Sequence, residues 1–246
     1  MAELLKLTSH GNSISVLRLK RHGVFRKFAH SKESVSLLQR EYDGIKWYST
    51  NQTLTSKLPS KLSLQLNGYL LDIPEINGNQ VSYEASLSYT MPFVLKAIEH
   101  YALVWPREEK APVHGDLTMD NILFDDKEVN FFDWEHFSFN GEIWGFDIVY
   151  LSLSAILLND LKKNVIKSEE IHIIEIWKKL QKVGVNSSFL AQPLKTIIEI
   201  YTTNREWNNI ITKSPKKLFP MILTNEQKDY FDAYFSNLTS KLEKSN

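Results

Sequence analysis

The chain of 246 residues carries 29 basic and 29 acidic side chains, so its formal net charge is zero and its pI is about 7.1. This balance argues against a general basic surface for nucleic acid, and the lack of any Cys excludes disulfides, thiol nucleophiles and thiolate metal sites. No stretch approaches the roughly 20 apolar residues of a membrane span, and the first residues lack a signal peptide's apolar run, so a cytoplasmic protein is expected.

Three short strands are predicted near the start of the chain, over residues 4–8, 13–19 and 24–29. The two connectors between them have the composition of hairpin turns. A helix is expected to follow from Ser31, a residue type that caps helix N-termini. The apolar residues of that segment recur at helical spacing: Val35, Leu38, Tyr42 and Ile45.

A second hairpin is predicted over residues 62–76, with Asn67-Gly68 as its turn. Pro92 is expected to start or kink the first helix after it. The remaining chain has mostly helical patterns, which cover residues 84–104, an apolar helix opened by Asp147, and residues 168–183, 187–203 and 224–243. The order is therefore strands with one helix, followed by a mostly helical region.

Polar residues are concentrated in two neighbouring stretches, VHGDLTMDNILF (residues 113–124) and VNFFDWEHF (residues 129–137). The second reads as a buried strand that Asp133 interrupts, and an acid in that position needs a partner. If the stretches form a hairpin, Asp116, Asn121 and Asp133 converge at one end of it. Two carboxylates and an amide oxygen form a site of hard oxygen ligands, which suits Mg²⁺.

The spacing of these residues resembles a known family. The motif HGDxxxxN (residues 114–121), followed by DWE (residues 133–135), is similar to the catalytic loop and metal-binding acid of the protein-kinase-like superfamily, in its aminoglycoside phosphotransferase and choline kinase branch. The resemblance implies an α+β, two-lobed fold. The implied lobes are a small antiparallel sheet with one helix (residues 1–77) and a larger, mostly helical lobe (residues 78–246).

The resemblance also implies a role for each matching residue. Asp116 would accept or orient the proton of the attacking hydroxyl, and His114 would brace the loop. Asn121 and Asp133 would hold Mg²⁺ on the ATP phosphates. Glu135 has two open readings, an additional metal contact and a surface carboxylate.

A cation and a helix carboxylate are expected from the small lobe. By the resemblance, Lys27 would reach the ATP phosphates and Glu41 would pair with it. Period-two alternation leaves Arg26 as the alternative cation, although Lys27 is preferred. Glu33 competes with Glu41, but a carboxylate at the helix start is already explained by the helix dipole.

The adenine and phosphate contacts are implied less completely. Backbone groups of about Ile73 to Ile76 would lie beside adenine. The phosphate-covering turn between the first two strands holds only Gly11, which departs from a glycine-rich loop. Asp147 has two readings, a helix cap and, by the resemblance, a carboxylate that holds the backbone of the catalytic loop.

These expectations describe an ATP- and Mg²⁺-dependent phosphotransferase that acts on a hydroxyl of a small molecule. Residues 151–246 hold fourteen Lys and Arg against ten Asp and Glu, a net charge of +4, which argues against polycationic aminoglycosides and favours a sugar or glycan precursor. Choline stays open, because aromatic residues can form a cage for it. Two further alternatives are a catalytically silent nucleotide-binding module that regulates a partner and a protein kinase.

Overall fold

The computed structural model describes residues 2–7, 14–52, 63–64, 69–82, 85–125, 128–163, 168–203 and 221–244. The three predicted N-terminal strands are present as β1 (Ala2–Leu7), β2 (Ile14–Leu19) and β3 (Val24–Ala29). The turn that contains Gly11 and the turn Asn67-Gly68 lie outside the described residues.

One antiparallel sheet contains the first five strands in the order β1-β2-β3-β5-β4, with β4 at Ser63–Leu64 and β5 at Leu70–Pro74. Helix α1 (Lys32–Asn51) begins as predicted after Ser31, whose hydroxyl accepts a hydrogen bond from the Ser34 N–H at 3.2 Å. Its Leu38 packs with buried apolar residues of the sheet. This contact places one face of α1 against the sheet.

The rest of the described chain is mostly helical. The helices are α2 (Leu87–Val104), α3 (Phe146–Lys163), α4 (Glu170–Lys182), α5 (Ser187–Ala191), α6 (Pro193–Thr203) and α7 (Asn225–Glu243). The predicted α+β class is confirmed by this arrangement. The division into lobes at residues 77 and 78 stays a prediction.

The structure refines the helix predictions at two prolines, of which only the one at Pro193 was wrong. The single helix expected over residues 187–203 is two helices, interrupted at Gln192, because the residue before Pro193 is disfavoured in the α conformation. Of the two alternatives for Pro92, a helix start is excluded, because α2 begins five residues earlier at Leu87 and holds the proline in its interior, and a kink stays a prediction. No described helix is both long and apolar enough to cross a membrane.

Two small hairpin-like pairs connect α2 to α3. Strands β7 (Ile122–Phe124) and β8 (Val129–Phe131) pair antiparallel, which confirms the hairpin predicted around the polar stretches. Strands β6 (Ala111–Val113) and β9 (Ser138–Glu142) also pair antiparallel, and the sequence did not indicate this pair. Together the two pairs bring residues 114–121 and 132–137 to one place.

Candidate active site

A cavity of about 720 Å³ lies between the five-stranded sheet, α1 and the β7–β8 hairpin. Much of its wall is apolar, with Ile14, Val16, Phe25, Ile73, Leu123 and Phe131 among the lining residues. Its charged lining includes Lys27, Glu41, Asp133 and Glu135. The volume is within the range of about 300–1,000 Å³ that small-molecule and cofactor sites occupy. An apolar wall beside a charged group suits a ligand with a flat base and an anionic tail.

Lys27 connects two separate elements at this cavity. Its ammonium lies 2.7 Å from Glu41 Oε1 on α1 and 3.0 Å from Asp133 Oδ1 after β8. Burial lowers the pKa of Lys27, but the nearby carboxylates of Asp133 and Glu41 outweigh burial and hold that pKa above its ordinary value. The side chain therefore stays cationic while only 13% of it is exposed.

Arg26 is directed elsewhere. Its guanidinium donates two hydrogen bonds of 2.7 Å to the carboxylate of Asp72 on β5, and it is not a lining residue of the cavity. The alternation of strand β3 therefore turns Lys27 towards the cavity and Arg26 towards a cross-strand partner. Glu41 is the carboxylate beside Lys27, whereas the side chain of Glu33 lies outside the described part of the structure.

The loop that begins at His114 is fixed through its backbone by Asp147 of α3. The N–H groups of His114 and Gly115 donate to the two oxygens of the Asp147 carboxylate, at 3.0 Å each. Burial raises the pKa of Asp147 to about 7, and the two N–H donors partly oppose that rise. The sequence offered two roles for Asp147, a helix cap and a carboxylate that holds the loop backbone. The observed contacts correspond to the second role.

The His114 side chain joins this loop to the segment after β8. Its Nε2–H donates to the Phe132 carbonyl at 2.9 Å, and its ring packs on Trp134 with 4.5 Å between centroids. Burial lowers the pKa of His114 to about 4, so the imidazole is neutral at pH 7. The neutral, buried ring thus contacts both polar stretches, and its role as a brace stays a prediction.

Asp116 presents a carboxylate in an environment that disfavours its charge. Burial raises its pKa to about 6, against the opposing effects of His136 and of a hydrogen bond from Tyr150. The Tyr150 hydroxyl donates to Asp116 Oδ1 at 3.0 Å. The backbone carbonyl of Asp116 accepts from Asn121 Nδ2 at 2.7 Å. A carboxylate with this pKa is ionised at pH 7 and basic enough to take a proton.

Asn121 and Asp133 lie at the open end of the β7–β8 hairpin. The Phe132 N–H donates to the Asn121 carbonyl at 3.1 Å, which joins the two segments directly after the last strand pair. Asn121 uses its amide nitrogen on the Asp116 backbone, so Oδ1 is the atom able to bind a cation. Asp133 has φ 63°, a left-handed conformation that is uncommon for residues other than glycine.

The remaining candidates line the cavity. Ile73 and Ile76 flank a segment whose Glu75 N–H donates to the Gly23 carbonyl at 2.7 Å, so other backbone groups of this segment are the candidates for contacting a base. Glu135 lines the cavity and its carbonyl accepts from Arg40 Nε at 3.1 Å. Both readings of the Glu135 carboxylate stay open.

A metal site made of acids and histidines is not present in the part of the chain that the structure describes, where no group of three or more such side chains is placed to hold an ion. The proposed pair of Asn121 and Asp133 is of a different kind, with one carboxylate and one amide oxygen. Mg²⁺ accepts few protein ligands when phosphate oxygens and water complete its shell. The donor chemistry of the pair therefore fits Mg²⁺ in the presence of a nucleotide.

Two residues that contact the loop, Tyr150 and Tyr201, were not assigned to the site from the sequence. The Tyr201 hydroxyl donates to the Gly115 carbonyl at 2.7 Å, and Tyr150 contacts Asp116. Both lie in helices whose apolar pattern indicates packing. A tyrosine one turn after Asp147 was the available signal for Tyr150, because residues three apart share a helix face.

No protein-family model and no curated protein matches the sequence. Solved structures that resemble the chain include the streptomycin–ATP–APH(2")-IIa ternary complex, with 11% identity and a TM-score of 0.44, covering 80% of this chain and 91% of that chain. A GDP and kanamycin complex of APH(2")-IIia has 11% identity and a TM-score of 0.40, covering 85% and 90%. A protein of Thermobifida fusca YX-ER1, provisionally named a fructosamine-3-kinase, has 12% identity and a TM-score of 0.43, covering 98% and 93%.

The likeness of these solved structures to the chain is at low identity and with TM-scores below 0.5. At such identities and TM-scores they do not decide the chemistry of this chain, which depends on its own side chains.

Proposed function

We propose that the chain is an ATP- and Mg²⁺-dependent phosphotransferase that transfers the γ-phosphoryl group to a hydroxyl of a small molecule. The observation that carries this proposal is the bridge from Lys27 to both Glu41 and Asp133 in one cavity. A cation held by two carboxylates at the polar side of an apolar cavity is suited to orienting phosphates. Phosphoryl transfer depends mainly on such positioning and on charge neutralisation.

The residues would divide the work as follows. Lys27 would contact the ATP phosphates, and Glu41 would keep its ammonium in place. Asn121 and Asp133 would hold Mg²⁺, which supplies positive charge to the phosphate oxygens. Asp116 would accept the proton of the acceptor hydroxyl as the bond from its oxygen to the γ-phosphorus forms and the bond from that phosphorus to the leaving oxygen of ADP breaks.

A sugar or a glycan precursor is the acceptor class that we propose. The helical region after residue 150 has a net charge of +4, which disfavours a ligand with several ammonium groups. An acceptor panel should include a neutral sugar, a phosphorylated sugar, choline and an aminoglycoside. We expect ADP release with one of the first two.

Nucleotide binding is tested by the change in thermal midpoint with ATP, with and without Mg²⁺. At a ligand concentration of about 100 Kd, binding adds about 2.7 kcal/mol, or roughly 5–10 °C for a chain of this size. We expect Lys27→Met to lose this increase and Asp133→Ala to lose its dependence on Mg²⁺. Arg26→Met is the matched control, because it removes the neighbouring cation of the same strand, and it should respond as the wild type does.

Two results would contradict the proposal. Equal responses of the Lys27 and Arg26 variants would show that the cavity cation does not contact the nucleotide. Nucleotide binding without ADP release for any acceptor would favour the catalytically silent module instead.

A further inference from the structure

Two buried tyrosines from two different helices contact the loop that carries Asp116. Tyr150 of α3 and Tyr201 of α6 are each 1% exposed. Their rings lie 6.0 Å apart at an angle of 68°. The Tyr150 hydroxyl donates to Asp116 Oδ1 at 3.0 Å, and the Tyr201 hydroxyl donates to the Gly115 carbonyl at 2.7 Å. One tyrosine therefore contacts the carboxylate and the other the adjoining backbone.

These contacts have a consequence for the carboxylate. A buried tyrosine hydroxyl needs a hydrogen-bond partner, and both hydroxyls here find theirs in the loop. Asp116 Oδ1 is occupied by the Tyr150 donor, which leaves Oδ2 for a substrate hydroxyl. A carboxylate anchored at one oxygen has a defined plane, because rotation about its terminal bond would break the hydrogen bond.

Helix α3 holds the loop at two positions. Asp147 accepts from the backbone of His114 and Gly115, and Tyr150 lies three residues further along the same helix face. The backbone and the carboxylate are thus fixed to one rigid element. Tyr150 and Tyr201 are not among the residues that line the cavity, so their contacts are separate from nucleotide binding.

We propose that Tyr150 and Tyr201 are positioning residues for phosphoryl transfer, with Tyr150 orienting Asp116 so that Oδ2 faces the acceptor hydroxyl and Tyr201 fixing the backbone at Gly115. This inference rests on the proposed function, because it assigns the residues to the same reaction. The two tyrosines act through the loop and do not contact the nucleotide. Their loss should therefore reduce the rate of transfer and leave ATP affinity unchanged.

The test compares Tyr150→Phe with Tyr101→Phe by steady-state ADP release with an acceptor from the panel that supports turnover of the wild type. Tyr101 is a fully buried tyrosine of α2 that packs against Trp105 and Trp144, so its variant controls for loss of a buried hydroxyl away from Asp116. We expect Y150F to lower kcat by about tenfold or more, since small misplacements of a reacting group are costly, and to keep the KM for ATP. Y101F should keep both constants.

A second comparison identifies the residue through which Tyr150 acts. If Tyr150 works by orienting Asp116, then Y150F should have little further effect on the residual kcat of Asp116→Asn. Equal kcat values in Y150F and Y101F, or a full additional loss in the double variant, would overturn the inference while leaving the proposed function in place. Absence of turnover in the wild type would overturn both.

Folding of the variants is checked by their thermal midpoints before kinetics. If Y150F does not fold, Tyr201→Phe replaces it, because its hydroxyl holds the Gly115 carbonyl of the same loop. We expect Y201F to lower kcat at an unchanged KM for ATP. Equal kcat values in Y201F and Y101F would then overturn the proposal.

Discussion

Gly115 offers a sharp test of how the loop of residues 114–121 is built. Its φ is 87°, and a Cβ placed there would lie 2.5 Å from the carbonyl oxygen of His136. Gly23 is a natural comparison, because its φ is also positive, at 57°, but a Cβ there would meet nothing within 4 Å. The substitutions Gly115→Ala and Gly23→Ala therefore share the backbone strain, and only the first adds a steric clash.

The expected loss of stability in each variant follows from the backbone strain and the steric clash. A side chain in a left-handed conformation costs about 1–2 kcal/mol, and this cost applies to both variants. The clash at Gly115 is with backbone, which must move, and overpacking of this kind costs about 1–3 kcal/mol more. We therefore expect G115A to be less stable than G23A by about 2 kcal/mol. For a chain of this size the difference corresponds to roughly 4–8 °C in Tm.

The assay is urea unfolding followed by circular dichroism, together with ADP release by each variant. G115A should also lose most turnover, because the clash must displace the backbone at Gly115 or at His136. Gly115 lies directly before Asp116, and His136 lies three residues after Asp133. G23A should retain turnover, since no side chain contacts the added methyl. Equal stability and equal turnover in the two variants would refute the claim that close backbone approach positions the loop.

Two further predictions concern contacts outside the reacting groups. Burial lowers the pKa of His100 from 6.5 to about 4, so the unfolded chain binds a proton at this residue more readily than the folded chain does. The stability that the neutral His100 contributes is therefore full above pH 6.5 and decreases as the pH falls to about 4. Relative to His100→Gln, the wild type should lose up to about 2 kcal/mol between pH 7 and pH 5 in urea unfolding. Asp232 accepts the N–H groups of Leu194 and Lys195 at 3.0 Å each at the start of α6, so Asp232→Ala should cost about 1–2 kcal/mol in the same assay at pH 7.

Each of these has a contradicting result. A stability difference between wild type and H100Q that stays constant from pH 7 to pH 5 would show that His100 does not titrate on unfolding. For Asp232, the matched control is Asp229→Ala, an exposed acid of the same helix. Equal stabilities of D232A and D229A would show that the two backbone hydrogen bonds contribute nothing measurable.

The sequence by itself was sufficient for the elements that depend on local signals. Residues 14–51 follow from alternating apolar residues, turn composition and the Ser31 cap. The β7–β8 hairpin follows from the two polar stretches around it. The candidate set of Asp116, Asn121 and Asp133 was found because its spacing is itself a sequence property. All of these are relations between residues close together in the chain.

The tertiary structure decided the relations between distant residues. Lys27 rather than Arg26 faces the cavity because Asp72, 46 residues away, holds the arginine, and Asp133, 106 residues away, contacts the lysine. The role of Tyr150 depends in the same way on where α3 packs beside the loop. Periodicity and spacing report which face of an element is buried, but not which distant group meets it. Contacts between distant residues are set by the packing of whole helices and strands, and this packing determines the partners of Lys27 and Asp116.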